Sequence, residues 1–502
     1  MSRWPGLTGP VGIGLPFGLG GIAALGLAPF EAWWAAIFSL IAIGWLFGQT
    51  VTGRQAARLG WLYGFGYFAV GLIWIVEPFL VDLQRHGWMA PFGLVFMAGG
   101  LALFWMLAFG LAWRLSGVLR WGALALTWTL AEFARAYFFT GFPWAGLAQI
   151  WVPTDTALLL AWVGPHGLAL WTLAATLSLP EVLRRPRGHW IAVIPAVALA
   201  LGTLAVSQTV PQVEQTGKHV RLVQPDAPQH LKWHPDYVWS FFDRALDLTA
   251  SGQANPRADL IVWPETSIPP ALNRAGREVL AIAEQAYGVP VIAGVRRTEG
   301  ARYYNSLILI DGGGAVTGRY DKHHLVPFGE YMPLSWLAAR VGLFGLAADG
   351  DGYSAGPGAQ VLDLPGIGSA LPLICYEVVF PQDVNAAPGR PEMLLQITND
   401  AWFGTWSGPY QHLAQARMRA IEQGLPMVRA ANTGVSAMID PLGRITAAVP
   451  LNQPGAVTAA LPAPLVPTVY ARTGDWPVFL LALFMTAVMM LLQVRTRRAN
   501  RD

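Results

Sequence analysis

Leu371-Pro-Leu-Ile-Cys-Tyr-Glu377 is an apolar run that ends in the only cysteine of a 502-residue chain. In isolation it reads as a buried strand, and its thiol as a small hydrophobe. Two distant blocks change that reading. Ile261-Val-Trp-Pro-Glu265 and Tyr320-Asp-Lys-His-His-Leu-Val-Pro-Phe-Gly-Glu330 each set a charged residue beside an apolar, strand-like run. Glu265 follows a buried-type strand and a turn at Pro264, Lys322 follows the second strand of a hairpin, and Cys375 ends a third strand. In α/β domains sites are built at the carboxyl ends of strands. A carboxylate, an amine and a thiol at three such ends can converge on one cleft, with Cys375 as nucleophile, Glu265 taking its proton and Lys322 stabilising negative charge.

Working outward, charges return between about Gln212 and Val466, and short β-rich runs alternate with helical ones, the pattern of an α/β domain. Strands are expected at 219–224, 259–263, 289–295, 304–311, 315–320, 370–376, 393–398, 427–431 and 434–439, with helices at 237–250, 276–287 and 410–423. Asp311-Gly-Gly-Gly314 and Asp440-Pro-Leu-Gly443 are turn sequences between paired strands, so the sheet is mixed.

The flanks have a different composition. The whole chain is 54% hydrophobic and 13% charged, against roughly 25% charged for soluble domains, which points to a membrane protein. Apolar stretches near 8–27, 30–48, 59–79, 90–113, 119–139, 157–180 and 189–207, and an eighth near 476–493, each approach the ~20 residues of a spanning helix. The first two could instead form a re-entrant pair. Arg3, Arg54, Arg58, Arg114, Arg120, the group at 184–187 and the C-terminal arginines fall on one side of these spans, with Arg85 the exception. Cytoplasmic loops collect such charges. The expected organisation is a bundle of about seven helices (1–207), an α/β domain outside the inner membrane (208–475), and a last span with a basic cytoplasmic tail (476–502). With no small-residue cleavage site, the first apolar stretch is expected to be retained.

Several function classes lose support. A net charge of +3 with arginines at span ends gives no nucleic-acid footprint. No HExxH or HxxH spacing, GxGxxG, Walker loop or GxSxG elbow occurs, so neither metal nor cofactor is expected; His323 and His324, adjacent on an extended chain, should point apart. Few charged spans and no matched broken helices argue against a transporter. Of 33 basic residues only Lys218, Lys232 and Lys322 are lysines, so a lysine marks a place that a bulkier guanidinium does not suit. Glu132 and Arg135, three apart, can pair on one helix face, as a functional or a structural pair. Thr140-Gly-Phe-Pro-Trp144 reads as an interfacial turn with an aromatic anchor, and His166 as a satisfied bundle residue. The apolar stretch from Pro333 to Leu346 suits either an interfacial lid or a core helix.

Six blocks in order, Gln224-Pro-Asp-Ala-Pro-Gln-His-Leu-Lys-Trp233, Val262-Trp-Pro-Glu265, Tyr304-Asn-Ser306, Lys322 through Pro333, Ile374-Cys-Tyr-Glu377 and Asn399-Asp-Ala-Trp-Phe-Gly404, resemble the membrane-bound branch of the nitrilase superfamily, the apolipoprotein N-acyltransferases. The resemblance implies an αββα sandwich joined to a transmembrane bundle, on the periplasmic side of a bacterial inner membrane. It implies transfer of an acyl chain from a phospholipid, typically phosphatidylethanolamine, through a Cys375 thioester to the amine of a diacylglyceryl-cysteine on an apolipoprotein. By position it makes Cys375 the nucleophile, Glu265 the base and Lys322 the oxyanion donor. Glu330 becomes a supporting carboxylate, Tyr376 and Glu377 neighbours of the nucleophile, and Trp233 part of a substrate arm. A membrane-anchored amidase acting on a small amide would use the same triad without an apolar path to the bilayer.

Overall fold

The computed structural model describes residues 10–115, 119–184, 190–251, 256–334, 340 and 352–499. Most of the stretch from Pro333 to Leu346 therefore lies outside the described residues. The chain divides into two compact units, one of residues 1–76, 91–211 and 469–502, the other of residues 77–90 and 212–468.

The first unit is helical: α1 (Pro10–Ala24), α2 (Trp33–Phe47), α3 (Gly53–Gly71), α4 (Ala90–Leu115), α5 (Arg120–Tyr137), α6 (Leu160–Arg184), α7 (Ile194–Gln208) and a C-terminal helix, Trp476–Ala499. A helix thus stands at each of the eight expected stretches, yet fewer qualify as spans. Among the described residues, those at Leu83–Leu115, Asp155–Val182, Ile191–Gln208 and Trp476–Arg495 are long and apolar enough to cross a membrane, and α3 with its broken continuation could be a fifth. The first two helices have 15 residues each, about 22 Å of helix against a hydrocarbon core of ~30 Å. They fit the re-entrant alternative. α5 carries Arg120, Glu132 and Arg135 in 18 residues, which lowers its hydropathy.

Those charges are structural. Arg135 pairs with Glu132 at 2.6 Å, Trp105 donates to the same carboxylate at 2.7 Å, and Arg135 Nη1 reaches the carbonyls of Phe142 and Trp144. That grip turns the 140–144 segment inward, so Trp144 is buried against Trp74, with ring centroids 4.5 Å apart, instead of anchoring an interface. Phe139, at φ +58°, is the fully exposed residue of that turn. His166 is satisfied as expected: it meets Asp475 at 3.1 Å and stacks on Phe133.

The second unit is a sandwich of two six-stranded mixed sheets, ordered β12-β1-β2-β3-β4-β5 and β11-β10-β9-β8-β7-β6. The strands are β1 (Gln215–Gln224), β2 (Leu260–Val262), β3 (Val291–Glu299), β4 (Arg302–Ile310), β5 (Val316–Asp321), β6 (Leu362–Leu364), β7 (Gly368–Ile374), β8 (Met393–Thr398), β9 (Met427–Ala431), β10 (Ser436–Ile439), β11 (Ile445–Val449) and β12 (Gly455–Pro462). Three parallel strands form the middle of each sheet, β1-β2-β3 and β7-β8-β9, with antiparallel neighbours outside. Helices α8 (Val238–Ala250) and α9 (Gly276–Gln285) cover the first sheet, where Phe242, Ala245, Val279 and Ile282 pack on Val291, Ala293 and Val295 of β3. Helix α10 (Gly408–Gln423) packs against β9 and the turn after β7. The two sheets are tied by Asn432, which accepts from the Ala227 amide at 3.0 Å and donates to its carbonyl at 2.7 Å, and by Gln224, which accepts from Ser436.

Candidate active site

Each functional side chain leaves the end of a strand. Leu260–Val262 is fully buried and parallel to both neighbours, and Pro264 turns the chain so that Glu265 enters the interior at 6% exposure. This turn needs Gly294 on β3. A Cβ there would stand 2.6 Å from Glu265 Cα and 2.4 Å from the Thr266 amide nitrogen, distances that real side chains do not adopt. Lys322 follows β5 and is 1% exposed; Cys375 follows β7 with φ +53° and is 6% exposed.

The carboxylates and the amine are held tightly. Lys322 Nζ meets Glu330 Oε2 at 2.7 Å. The Asn305 amide bridges the two glutamates, donating to Glu265 Oε1 at 2.6 Å and to Glu330 Oε1 at 3.0 Å. Backbone amides complete the pattern, Asn399 to Glu265 Oε2 and Val326 to Glu330 Oε2, both at 2.8 Å. Lys232 supports the same turn from behind, donating to the Glu265 carbonyl at 3.1 Å and the Thr266 hydroxyl at 3.0 Å.

These contacts set the protonation chemistry. Burial pushes the Glu265 carboxyl above its ordinary range, although Lys322 and the Asn305 hydrogen bond pull against it. A carboxylate so raised is a stronger base at neutral pH. Burial also raises the Cys375 thiol, the nearby Glu265 charge adds to this, and Lys322 opposes it. The thiol therefore rests protonated, so attack requires a base. Burial works against the Lys322 ammonium, but Glu330 and then the negative forms of Cys375 and Glu265 outweigh it and hold the amine charged. A fixed cation beside a protonated thiol and a basic carboxylate can stabilise a tetrahedral oxyanion.

Behind the thiol lies a second buried network. The Cys375 carbonyl accepts from Gln396 Nε2 at 3.2 Å and faces His412 Nε2 at 3.0 Å; His412 Nδ1 lies 2.8 Å from Asp400, which pairs with Arg429 at 2.5 Å. Asp400 is held down to about 2: its burial works the other way, and Arg429 and His412 overcome it. All four side chains are fully buried.

A family model described as the apolipoprotein N-acyltransferase N-terminal domain matches residues 19–178, and one described as carbon-nitrogen hydrolase matches residues 219–469. An apolipoprotein N-acyltransferase from Rhodopseudomonas palustris is 37% identical over 95% of this chain and 94% of its own length. The chain belongs to the apolipoprotein N-acyltransferase family. Another family member, from Bradyrhizobium diazoefficiens, is 38% identical over 96% of this chain and 94% of its own. Nit3 of Saccharomyces cerevisiae, a member of branch 10 of the nitrilase superfamily, aligns at 19% identity over 50% of this chain and 91% of its own, with a TM-score of 0.37. Membership of the apolipoprotein N-acyltransferase family makes this a multi-pass membrane protein with an acyltransferase architecture.

In this family member, Glu265, Lys322, Glu330 and Cys375 come together in one buried cluster. Trp233 lies beside it, exposed, with its ring 5.5 Å from Lys232 Nζ and 4.5 Å from the Arg296 guanidinium. Tyr376 packs edge-on to Phe380 and His324. Glu377 is fully buried and serves as a buttress: its Oε2 accepts from the Ile374 amide at 2.7 Å and its Oε1 from Tyr320 and His323, both at 2.8 Å. His323 and His324 do not point apart. Both approach Asp383, His324 at 2.7 Å and His323 at 3.8 Å, because the chain leaves β5 before them and is no longer extended. No cluster of potential metal ligands occurs among the described residues. Lys232, Asn305, Asn399 and Asp400 stand inside the quoted sequence blocks without roles of their own, and Gln396, His412 and Arg429 carried no signal in the sequence. The rarity of lysine was a further signal pointing to Lys232.

Proposed function

We propose that this chain N-acylates the diacylglyceryl-cysteine at the N-terminus of apolipoproteins, taking the acyl chain from a phospholipid, with phosphatidylethanolamine the expected donor, on the periplasmic face of a bacterial inner membrane. The observation that carries the reading is the cluster itself: the chain's only thiol lies with a carboxylate of raised pKa and a lysine held charged by a second carboxylate.

Glu265 takes the thiol proton as Cys375 Sγ attacks the sn-1 ester carbonyl of the phospholipid. Lys322 meets the oxyanion, and Glu330 fixes the ammonium in place. Collapse of the tetrahedral species breaks the ester C–O bond, and the departing lysophospholipid oxygen takes the proton from Glu265. The thioester is then attacked by the acceptor's α-amine, whose proton passes to Glu265. The second collapse breaks the C–S bond, returns the proton to sulfur and leaves an amide. One difficult synthesis becomes two exchanges without a nucleotide.

The test is a comparison of wild type and Cys375→Ala, each incubated with labelled phospholipid in the absence of acceptor. Wild type should gain hydroxylamine-sensitive label and release lysophospholipid, while the variant folds and inserts but gains none. Label that appears only when lipopeptide is added, or N-acylation by Cys375→Ala, overturns the mechanism.

A further inference from the structure

Arg296 is the charged residue of the site that the chemistry above leaves without a task. It stands opposite Asn305 in the β3–β4 ladder, and directly opposed residues of an antiparallel pair share a face. It therefore shares the face of the amide that bridges Glu265 and Glu330, and of Gly294, which abuts the Glu265 backbone. Its neighbour Arg297 takes the opposite face and is neutralised there by Asp321 and Glu299. Arg296 has no carboxylate partner among the described residues. Its Nη2 donates to the Pro269 carbonyl at 3.2 Å, and its Nε is buried with no hydrogen-bond partner.

A second cation is crowded against the first. Lys232 is buried, shares the Trp233 ring with Arg296, and has its amine lowered to about 8, by burial first and in part by the Arg296 charge. With Lys322, Lys232 and Arg296 positive and Glu265 and Glu330 negative, the ionised cluster holds three cations against two anions, a net charge of +1. Lys322 faces the reacting carbonyl, and an incoming amine gains nothing from a further cation. What this corner suits is an anion carried by the acyl donor.

We propose that Arg296, beside Lys232 and the Trp233 ring, is the subsite that takes the phosphodiester of the donor phospholipid. The inference rests on the phospholipid reading above. In a glycerophospholipid the phosphate is joined to the sn-1 ester through the three-carbon glycerol, so an ester seated at Cys375 carries its phosphate into the immediate surroundings of the thiol. The guanidinium fork matches phosphate oxygens, and the buried Nε is a donor that no group of the described chain occupies, so a small shift of the side chain would turn it to the phosphate without breaking a bond. Trp233, 38% exposed, offers its ring to the glycerol.

The experiment compares phospholipid with 1,2-diacylglycerol, which carries the same sn-1 ester and no phosphate, as donors in mixed micelles, following acyl-Cys375 by mass. Arg296→Gln should raise the half-saturating phospholipid concentration about tenfold or more, the effect of losing a charge-assisted hydrogen bond, with less than a twofold change for diacylglycerol. Arg296→Lys, which keeps the charge and loses the fork, should fall between, and it carries the test if the Gln variant does not fold. Saturating inorganic phosphate should compete with phospholipid alone. Equal losses for both donors would reduce Arg296 to a prop for Trp233, and phosphate slowing both donors equally would make this a general anion site; either result overturns the proposal. Wild type that acquires no acyl group from phospholipid is a separate result, against the donor reading itself.

Discussion

At Cys375 the backbone occupies the left-handed region, which costs a non-glycine residue of order 1–3 kcal/mol. The structure offsets that cost by fixing the residue on both sides: Gln396 and His412 hold its carbonyl, and Glu377 holds the preceding amide. Strain of this kind aims a side chain out of the strand line and toward its partners. Glu265 depends on its neighbours in another way, through charge. The Asn305 hydrogen bond favours the carboxylate and lowers a pKa that burial has raised. Removing it takes away a contribution that stabilises the charged form, so the pKa rises further. Thioester formation needs Glu265 deprotonated, and in Asn305→Ala its acid limb should therefore move to higher pH, the rate falling most on the acid side and least on the plateau. Single-turnover acylation across a pH series checks this; a limb that stays put or moves to lower pH would show that Asn305 does not tune the base.

At the scale of elements, two of the strands that carry the proposed triad, β2 and β7, were legible as apolar runs that end just before Glu265 and Cys375, and β5 was legible as the second strand of a hairpin after the Asp311-Gly-Gly-Gly314 turn. Strands β6, β11 and β12 were not. The first has three residues, the second is mostly exposed, and the third is an edge rich in Gly, Ala and Thr, so none shows the apolar pattern of a buried strand. The network of Asp400, His412 and Arg429 was illegible for a different reason: its members come from the end of β8, helix α10 and β9, and only the fold brings them together. Gly294 belongs to the same class, an ordinary residue in the sequence and a contact point in the sandwich. Gly294→Ala would drive a Cβ into the Glu265 and Thr266 main chain, which cannot yield as a flexible side chain does. Overpacking of this kind costs about 1–3 kcal/mol, and displacing a catalytic group by about an ångström can cost ~10²-fold in rate. The variant should show a lower thermal midpoint in detergent and a loss of thioester formation of that order. A variant with wild-type rate would mean that β3 and the Glu265 turn can separate without consequence.

For the molecule as a whole, the division into an apolar helical unit and an α/β unit fits the proposed phospholipid donor. Withdrawing an acyl chain from a bilayer costs ~0.8 kcal/mol for each CH₂ exposed, so under the proposed reaction the thiol has to be held at the membrane. Composition made this division visible in the sequence, while the number of spans was less visible, since apolar length along the chain does not say how much of it becomes one straight helix. The short pair α1 and α2, each of 15 residues, bears on topology. If both cross, or if both enter and leave on the same side, an even number of crossings is involved and the orientation of everything downstream is unchanged. The arginine distribution then decides the side, with Arg54, Arg58, Arg114 and Arg120 before the sandwich and Arg495, Arg497, Arg498 and Arg501 after it. We expect alkaline phosphatase fused after Gly252 to be active and a fluorescent protein fused after Asp502 to mature in the cytoplasm. The reverse pair of results would put the sandwich in the cytoplasm, where a lipoprotein N-terminus displayed on the outer leaflet of the inner membrane could not reach Cys375.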